Sequence, residues 1–216
     1  MKLANILDSK SSAARLVGSS PTSGTMLKTR NKNTAYVIGF SIGDGNLSSS
    51  NGRTIKLRVT CDDKYPVLKK RIVDSLKILL PNNAVSEYKR RENCTDVYCH
   101  SKSLEEILGW SANGGSKYKQ RVRVPNWIFS KKIYIKYCLK GLIETDGSIY
   151  MDRKYKYVNF TTIIVELADD VERMIQSLGY KSNRSKSRQE SGKMKYVVRI
   201  CKNSEGFIKS IDLDKS

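Results

Sequence analysis

Two similar nine-residue segments each combine small and apolar residues with an aspartate and a glycine at the end. The first covers residues 37–45 and contains Asp44, and the second covers residues 139–147 and contains Asp146. The two aspartates are 102 residues apart, about half of the 216-residue chain. A motif that recurs at such a distance indicates an internal duplication. A duplicated fold brings equivalent residues together around a pseudo-twofold axis, so the two carboxylates are predicted to form a metal site.

Each motif has small residues four positions apart, a spacing that places them on one face of a helix. Such residues allow two helices to approach until their backbones touch. We therefore predict that the two motif helices pack against each other. The residues predicted to form this helix interface are Gly39, Gly43, Gly141 and Thr145.

Parallel packing of the motif helices would place both aspartates at helix C-terminal ends, where the helix dipole disfavours negative charge. The carboxylates would also repel each other, and a divalent cation removes both problems. Oxygen-only ligands favour Mg²⁺, with Mn²⁺ as a substitute. A single Asp-Gly pair after a helix is usually a turn, but the repetition favours a metal site. The candidate metal-site residues are Asp44, Asp146, Gly43 and Thr145.

The pattern around each motif predicts the order helix-strand-strand-helix-strand-strand-helix twice. Thr34 is the predicted N-cap of the first motif helix, and residues 53–60 alternate as a half-buried strand with a basic outer face. The predicted fold class is α+β, with two pseudo-symmetric repeats, antiparallel sheets and the motif helices paired at the centre. The expected divisions are 1–32 (a polar tail), 33–110 (the first repeat), 111–130 (a linker) and 131–216 (the second repeat).

The charge of the chain predicts a polyanionic partner. Forty Lys and Arg residues against 21 Asp and Glu residues give a net charge of +19, which favours nucleic acid over an ordinary basic surface. No apolar run reaches the roughly 20 residues that span a bilayer, and the N-terminus lacks the apolar stretch of a secretory signal. We expect no membrane partner and a cytoplasmic location, or an organelle in a eukaryotic host. The five cysteines form no CxxC pair and His100 is the single histidine, which argues against a zinc site.

Basic residues alternate along several of the predicted strands, with few acids between them. A solvated strand face usually mixes both signs of charge, so this pattern favours a surface that contacts phosphates and bases. The predicted DNA-binding residues are Lys56, Arg58, Arg184, Lys186, Arg188, Lys195 and Arg199.

With these motifs, the chain resembles the LAGLIDADG homing endonucleases of the single-chain, two-repeat type, over about residues 33–212. The second motif departs from that family's pattern mainly at Lys140 and Thr145. The first motif has Ile42 where the family usually has its first acid. Both repeats keep the last acid, which is the family's metal ligand, as Asp44 and Asp146.

The resemblance implies a saddle of two sheets over double-stranded DNA and a chain that acts as a monomer. It implies metal-dependent hydrolysis of both strands of a long asymmetric site across the minor groove, leaving short 3′ overhangs. It also implies basic or polar residues beside the metals. The candidates are Lys117, Lys119, Arg121 and Arg123 in the loop before the second motif helix, together with Thr60, Cys61 and Thr162. The predicted catalytic set is Asp44, Asp146, Lys119 and Arg121.

Three alternatives to an endonuclease are compatible with this sequence to different degrees. The leading alternative is an RNA-binding maturase that helps an intron to fold and has little or no cleavage activity. A DNA-binding regulator on the same scaffold would typically carry a further helix-turn-helix domain, for which the two repeats leave no residues. An intein origin is disfavoured because no splicing segments flank the repeats.

Overall fold

The computed structural model describes residues 30–49 and 52–215. Most of the predicted polar tail, residues 1–29, therefore lies outside the described residues. The first repeat contains three helices and four strands in the predicted order. Its elements are α1 (Lys32–Gly43), β1 (Gly45–Ser48), β2 (Ile55–Asp62), α2 (Pro66–Leu79), β3 (Val85–Lys89), β4 (Cys94–Ser101) and α3 (Leu104–Leu108).

The second repeat has the same order of elements. A short 3-10 helix, Asn126–Ser130, precedes it. Its elements are α4 (Lys132–Asp146), β5 (Gly147–Asp152), β6 (Tyr155–Thr162), α5 (Val165–Ser177), β7 (Ser182–Arg188), β8 (Met194–Ile200) and α6 (Ser204–Ser210).

Each repeat forms one four-stranded antiparallel sheet. The strand order is β1-β2-β4-β3 in the first sheet and β5-β6-β8-β7 in the second, so the two sheets have the same topology. The α+β class with two antiparallel sheets is confirmed. None of the helices in the described part of the chain combines the length and apolar character needed to cross a bilayer.

Strand β2 shows how the sequence pattern selects the two faces of the first sheet. Ile55, Leu57 and Val59 are buried. Lys56 and Arg58 lie between them and keep contact with solvent. The alternation of side chains along a strand therefore packs the apolar set against the helices and leaves a basic outer face, as the sequence predicts.

The two motif helices, α1 and α4, pack in parallel at the centre of the molecule. A Cβ atom added to Gly141 would lie 2.5 Å from the carbonyl oxygen of Tyr36, and one added to Gly39 would overlap the carbonyl oxygen of Cys138. The obstructing atoms are backbone atoms, which side-chain movement cannot displace. Glycine at these two positions therefore allows the backbones to touch, as the small-residue spacing predicts.

The start of α1 differs from the prediction. Asn31 is the N-cap, with an extended backbone, and its side chain accepts a hydrogen bond of 2.9 Å from the backbone N–H of Thr34. Thr34 lies inside the first turn and is buried. The assignment of Thr34 as N-cap was wrong because Asn caps helices at least as well, and the polar residues after Asn31 concealed the first turn.

Candidate metal and DNA-binding site

The two motif aspartates meet where the motif helices end. Asp44 caps α1, its N–H donating to the carbonyl of Phe40 at 3.0 Å, and Asp146 is the last residue of α4. A Cβ atom added to Gly43 would lie 3.5 Å from the carboxyl carbon of Asp146. The parallel helix pair therefore places one carboxylate from each repeat at the same point, beside the first strand of each sheet.

The surroundings of both carboxylates disfavour their charged form. Partial burial, followed by the charge of Asp44, raises the pKa of Asp146 to about 6. Burial also raises the pKa of Asp44. Both residues still contact solvent, so the shifts arise from neighbouring protein in a recess rather than from enclosure. A nearby cation stabilises the charged form of a carboxylate, so two neighbouring carboxylates with raised pKa values form a site that favours a cation.

Two lysines, one following the last helix of each repeat, lie beside these carboxylates. The Nζ of Lys117 donates to the carbonyl oxygens of Ser41 at 3.3 Å, Ile42 at 2.5 Å and Gly43. The Nζ of Lys215 donates to the carbonyl oxygens of Thr145 at 3.2 Å and Gly147 at 2.7 Å. Each lysine thus donates to carbonyls at or just after the end of a motif helix, where the helix dipole favours a positive charge.

The charges of these lysines and of the two aspartates act on one another. Lys117 and Lys215 lower the pKa values of both aspartates and so oppose the effect of burial. Burial lowers the pKa of each lysine, and the aspartates oppose that change. The site therefore consists of two acid–lysine pairs related by the duplication.

The loop before α4 contributes Lys117 to this site, whereas the other basic residues of the loop point elsewhere. Lys119 and Arg121 line a separate groove, and the Nε of Arg121 lies 3.2 Å from Glu166. Arg123 forms two hydrogen bonds to Asp170, at 2.7 and 3.2 Å. The structure therefore does not bring Lys119 and Arg121 to the aspartates. They alternate with Tyr118 and Gln120 in a loop, where sequence spacing does not specify side-chain direction.

Lys215 was not identified from the sequence. The sequence does contain a signal for it, because a lysine follows the last helix of each repeat: Lys117 follows α3 and Lys215 follows α6. Both lysines contact the end of a motif helix. This signal is weak in a chain with 40 Lys and Arg residues. Only the path of the chain after α6 shows that Lys215, among so many, reaches the aspartates.

Gly43 and Thr145 contribute to the site through their backbones. The hydroxyl of Thr145 donates within α4, to the carbonyls of Gly141 and Leu142 at 2.9 and 3.1 Å. The carbonyl of Gly43 accepts from Lys117, and that of Thr145 accepts from Lys215. Both carbonyls are therefore engaged by lysines, and a role for Gly43 and Thr145 in holding a metal stays a prediction.

Three polar residues from the ends of β2 and β6 were also candidates for the pocket. Burial, with the nearby charge of Asp44, raises the pKa of the Cys61 thiol to about 12, which keeps it neutral. Thr162 lines a cavity of about 390 Å³ together with Asp146, Lys117 and Lys195. The hydroxyl of Thr60 instead donates to Asp96 at 2.7 Å on the outer face of the first sheet.

The donor set is compatible with one class of metal. In the described part of the chain, no group of three or more His, Cys, Asp or Glu side chains could hold a metal ion. Two carboxylates alone suit Mg²⁺, which keeps several waters and binds through one or two carboxylates together with substrate phosphates. Asp44 and Asp146 therefore fit a hard divalent cation that is completed by water and a phosphate.

The outer face of the first sheet carries cations and aromatic rings. The Nζ of Lys56 lies 4.2 Å from the centre of the Tyr98 ring, across the strand pair β2–β4. Arg58 lies opposite Tyr98 in the same pair. Asp96 is buried on this face, where Thr60 and Arg90 both donate to it.

The outer face of the second sheet is organised around Arg199. Its Nε donates to Asn159 at 3.2 Å, and its guanidinium lies 5.4 Å from the centre of the Tyr157 ring. Tyr150 accepts a hydrogen bond from Asn159 and stacks on Tyr157, with ring centres 5.5 Å apart. Lys195 shares this face, because it lies four residues from Arg199 on the same strand.

Three of the predicted DNA-binding residues lie on the opposite side of the second sheet. Arg184 is paired with Val198, a buried residue, so its side chain points to the side that the helices cover. There it forms ion pairs with Asp169 and Glu172 of α5, at 2.5 and 3.4 Å. Lys186 and Arg188 follow Arg184 at every second position of the strand, so their side chains lie on the same side as that of Arg184.

The prediction that Arg184, Lys186 and Arg188 share the outer face with Lys195 and Arg199 was therefore wrong. Strand β7 contains no apolar residue, and its side chains are largely exposed. It is an edge strand, so burial leaves no mark on its sequence that would distinguish one face from the other.

The family comparison agrees with this architecture. Residues 134–206 match the model of the LAGLIDADG-like domain. Over 186 residues the chain is 25% identical to a DNA polymerase of Thermococcus sp. (strain GE8). That alignment covers 81% of this chain but only 10% of the length of the polymerase.

Solved structures of the same fold cover both repeats. I-DmoI in complex with DNA and Mn has a TM-score of 0.60 and 20% identity, over 86% of this chain and 97% of that chain. The N-terminal LAGLIDADG domain of DUF199/WhiA has a TM-score of 0.58 and 12% identity, over 85% and 84%. The resemblance inferred from the two motifs is confirmed: the chain has the two-repeat LAGLIDADG fold.

Proposed function

We propose that this protein is a metal-dependent endonuclease that cuts both strands of a specific DNA site. The observation that carries this proposal is the pair of coupled carboxylates, Asp44 and Asp146, each with a lysine beside it, where the two motif helices end. The fold alone does not select this function, because one fold can carry unrelated functions and the function depends on the site. The acid–lysine pairs add a site at which a phosphodiester bond could be hydrolysed.

The proposed substrate follows from charge and shape. The net charge of +19 favours a polyanion. Lys56 and Arg58 on one sheet, and Lys195 and Arg199 on the other, can contact phosphates or base edges on either side of the carboxylates. A cavity that contains both Asp146 and Lys195 connects the second outer face to the carboxylates. I-DmoI, which has this fold, is seen in complex with DNA, and this supports double-stranded DNA as the partner.

Asp44 and Asp146 would hold the divalent cations, with Mg²⁺ as the expected ion and Mn²⁺ as a substitute. Relatives of this fold have been crystallised with DNA and Mn and with DNA and Ca. When bound, such ions activate water and stabilise the leaving oxygen in phosphodiester hydrolysis. Their positive charge would also hold both carboxylates ionised, although burial raises the pKa of each.

Lys117 and Lys215 would act on the phosphate. Each ammonium group is fixed by backbone carbonyls close to the carboxylates. A fixed positive charge there stabilises the additional negative charge that the phosphate acquires in the transition state. Because one lysine follows the last helix of each repeat, each is assigned to one of two scissile phosphates, one per strand, with short 3′ overhangs as the product.

The experiment that tests this function uses a linear DNA library with a randomised segment. The purified chain is incubated with it in Mg²⁺, and the new ends are sequenced. We expect ends that cluster at one long, asymmetric sequence with staggered breaks. Intact DNA at every protein concentration, with tight binding to structured intron RNA, would favour the maturase alternative.

A further inference from the structure

Helix α4 buries two charged side chains in a region where α1 is apolar. Lys140 is 6% exposed and Glu144 is 1% exposed, one helical turn apart. The duplication relates these positions to Ile38 and Ile42 of α1, which are also buried. Buried charges lose hydration and stabilise a fold only when they are well paired. Since the equivalent helix is packed with isoleucines, helix packing alone does not require the charges.

The partners of these charges converge on one short segment after α6. The Nζ of Lys140 lies 2.6 Å from the carboxylate of Asp212. Glu144 accepts hydrogen bonds from Arg71 at 2.5 Å, from the hydroxyl of Tyr36 at 2.6 Å and from the backbone N–H of Asp214 at 3.3 Å. Two residues of α4 therefore engage residues 212 and 214.

Arg71 of α2 completes the set. One terminal nitrogen of its guanidinium contacts Glu144 and also donates to the carbonyl of Asp214 at 3.2 Å. The other donates to the carboxylate of Asp214 at 3.0 Å. Arg71, Lys140 and Glu144, with their partners Asp212 and Asp214, are called the clamp below.

The residue next to the clamp is Lys215, which reaches the carboxylate site. The side chain of Asp212 is 93% exposed, so charge rather than apolar burial attaches that residue. Adjacent Cα atoms are about 3.8 Å apart, so an anchored Asp214 confines the backbone of Lys215 to a small volume. From there its Nζ reaches the carbonyls of Thr145 and Gly147.

Lys117, in the linker after the first repeat, is held in a different way. It lies within a loop in which Gln120 donates to the carbonyls of Ser111 and Gly115, at 2.8 and 2.9 Å. Backbone hydrogen bonds from residues 120 and 122 to residues 116 and 117 close the loop. Neutral hydrogen bonds thus hold Lys117. The segment that carries Lys215 is held by the burial of Ile211 and Leu213 and, in addition, by ion pairs from α2 and α4.

We propose that the clamp is a positioning device for Lys215 and therefore controls cleavage of one DNA strand. The buried charges of α4 serve this purpose rather than the packing of the motif helices. This inference rests on the proposed endonuclease function, in which each lysine serves one scissile phosphate. A purely structural clamp would instead affect both strands to the same extent.

The test uses the double variant Asp212→Ala/Asp214→Ala in the full chain. Both changes remove exposed partners and leave the buried residues of α4 intact. The matched control is Asp74→Ala, which removes an exposed partner of Lys70 from the helix that carries Arg71. Each strand of the target is labelled separately, and its rate of cleavage is measured beside Lys215→Met.

We expect the double variant to bind DNA with little change and to cut one strand at least about tenfold more slowly. That strand should be the one affected by Lys215→Met, so nicked DNA should accumulate. The double variant that also carries Lys215→Met should cut no more slowly than Lys215→Met alone, since both changes act on one function. Equal slowing of both strands, or full additivity, would overturn the inference. Failure of the wild-type chain to cut DNA would instead overturn the proposed function.

A second measurement does not depend on cleavage. The backbone amide of Asp214 donates to Glu144, so its hydrogen exchange reports whether the segment is held. Its exchange should be at least about tenfold faster in Glu144→Gln/Arg71→Leu and unchanged in Asp74→Ala. Unchanged exchange in the first variant, with a folded circular dichroism spectrum, would show that the ion pairs do not hold the segment.

Discussion

The two repeats share one topology and one pair of chemical groups, but they support those groups differently. Each contributes an aspartate at the end of its motif helix and a lysine that follows its last helix. Around them, α1 is packed with isoleucines where α4 carries Lys140 and Glu144. The two repeats thus share these aspartates and lysines, while the residues that surround them differ.

The outer faces of the two sheets differ in the same manner. In the first, the buried Asp96 accepts from Thr60 and Arg90. In the second, Arg199 is placed by Asn159 and by two tyrosines. A symmetric pair of carboxylates between two unlike faces is suited to the proposed target, whose halves differ in sequence.

The largest effect should come from bulk at the helix interface, where the repeats are equivalent. Gly39→Leu and Gly141→Leu should each lower the free energy of unfolding by at least about 2 kcal/mol, because the added atoms meet backbone. Thermal or urea unfolding measures the loss, with Lys132→Leu on the exposed side of α4 as the control. If either variant unfolded like wild type, the close approach at that glycine would be wrong.

Removal of each of the two lysines should slow cleavage of a different DNA strand. Lys117→Met and Lys215→Met should each slow one strand by roughly 10–100-fold, and the affected strands should be opposite ones. Strand-labelled DNA in Mg²⁺ gives both rates from one gel. Lys119→Met provides the comparison, and it should leave both rates close to wild type because Lys119 lies in a separate groove. Slowing of the same strand by both Lys117→Met and Lys215→Met would break the assignment of one lysine to each repeat.

The strand faces should show a smaller effect on binding. Removing Lys56 or Lys195 should reduce the slope of log K against log salt by about 0.9 if each contacts one phosphate. Arg199→Ala should instead weaken preference at one base pair, by roughly 1–3 kcal/mol, if it reads a base edge. Arg184→Ala serves as the contrast because its guanidinium is engaged by Asp169 and Glu172. A change in slope for Arg184 equal to that for Lys195 would argue that DNA reaches the other side of β7.

The smallest effect concerns pH in the absence of divalent metal. The pKa of Asp146 is about 6 in the folded chain, above its unfolded value of about 3.9. The folded state therefore binds this proton more tightly, and its stability rises as pH falls from above 6 towards 4. Relative to wild type, Asp146→Asn should stabilise the metal-free protein at pH 7.5 by under about 1 kcal/mol, since the carboxyl is partly exposed. This gain in stability should vanish near pH 4. Urea unfolding of wild type and of the variant at pH 7.5 and at pH 4 measures the difference.

The sequence predicted those features that leave a periodic mark. Small residues four apart located the helix interface at Gly39 and Gly141, and alternating apolar residues assigned the faces of β2. The faces of β7 could not be assigned, because a fully polar edge strand has no buried side to constrain it. Lys215 could not be identified either, since it follows Asp214, whose contacts to Arg71 and Glu144 join residues distant in sequence.

The most direct test of the central account is cleavage by Asp44→Asn and Asp146→Asn. The amide keeps the shape of the side chain but removes the charge that holds a cation. We predict that each variant loses cleavage of both strands in Mg²⁺ by at least about 100-fold, while affinity for the target stays within about threefold of wild type when measured in Ca²⁺. Cutting at the wild-type rate by either variant would contradict the account, because that carboxylate would then hold no catalytic metal.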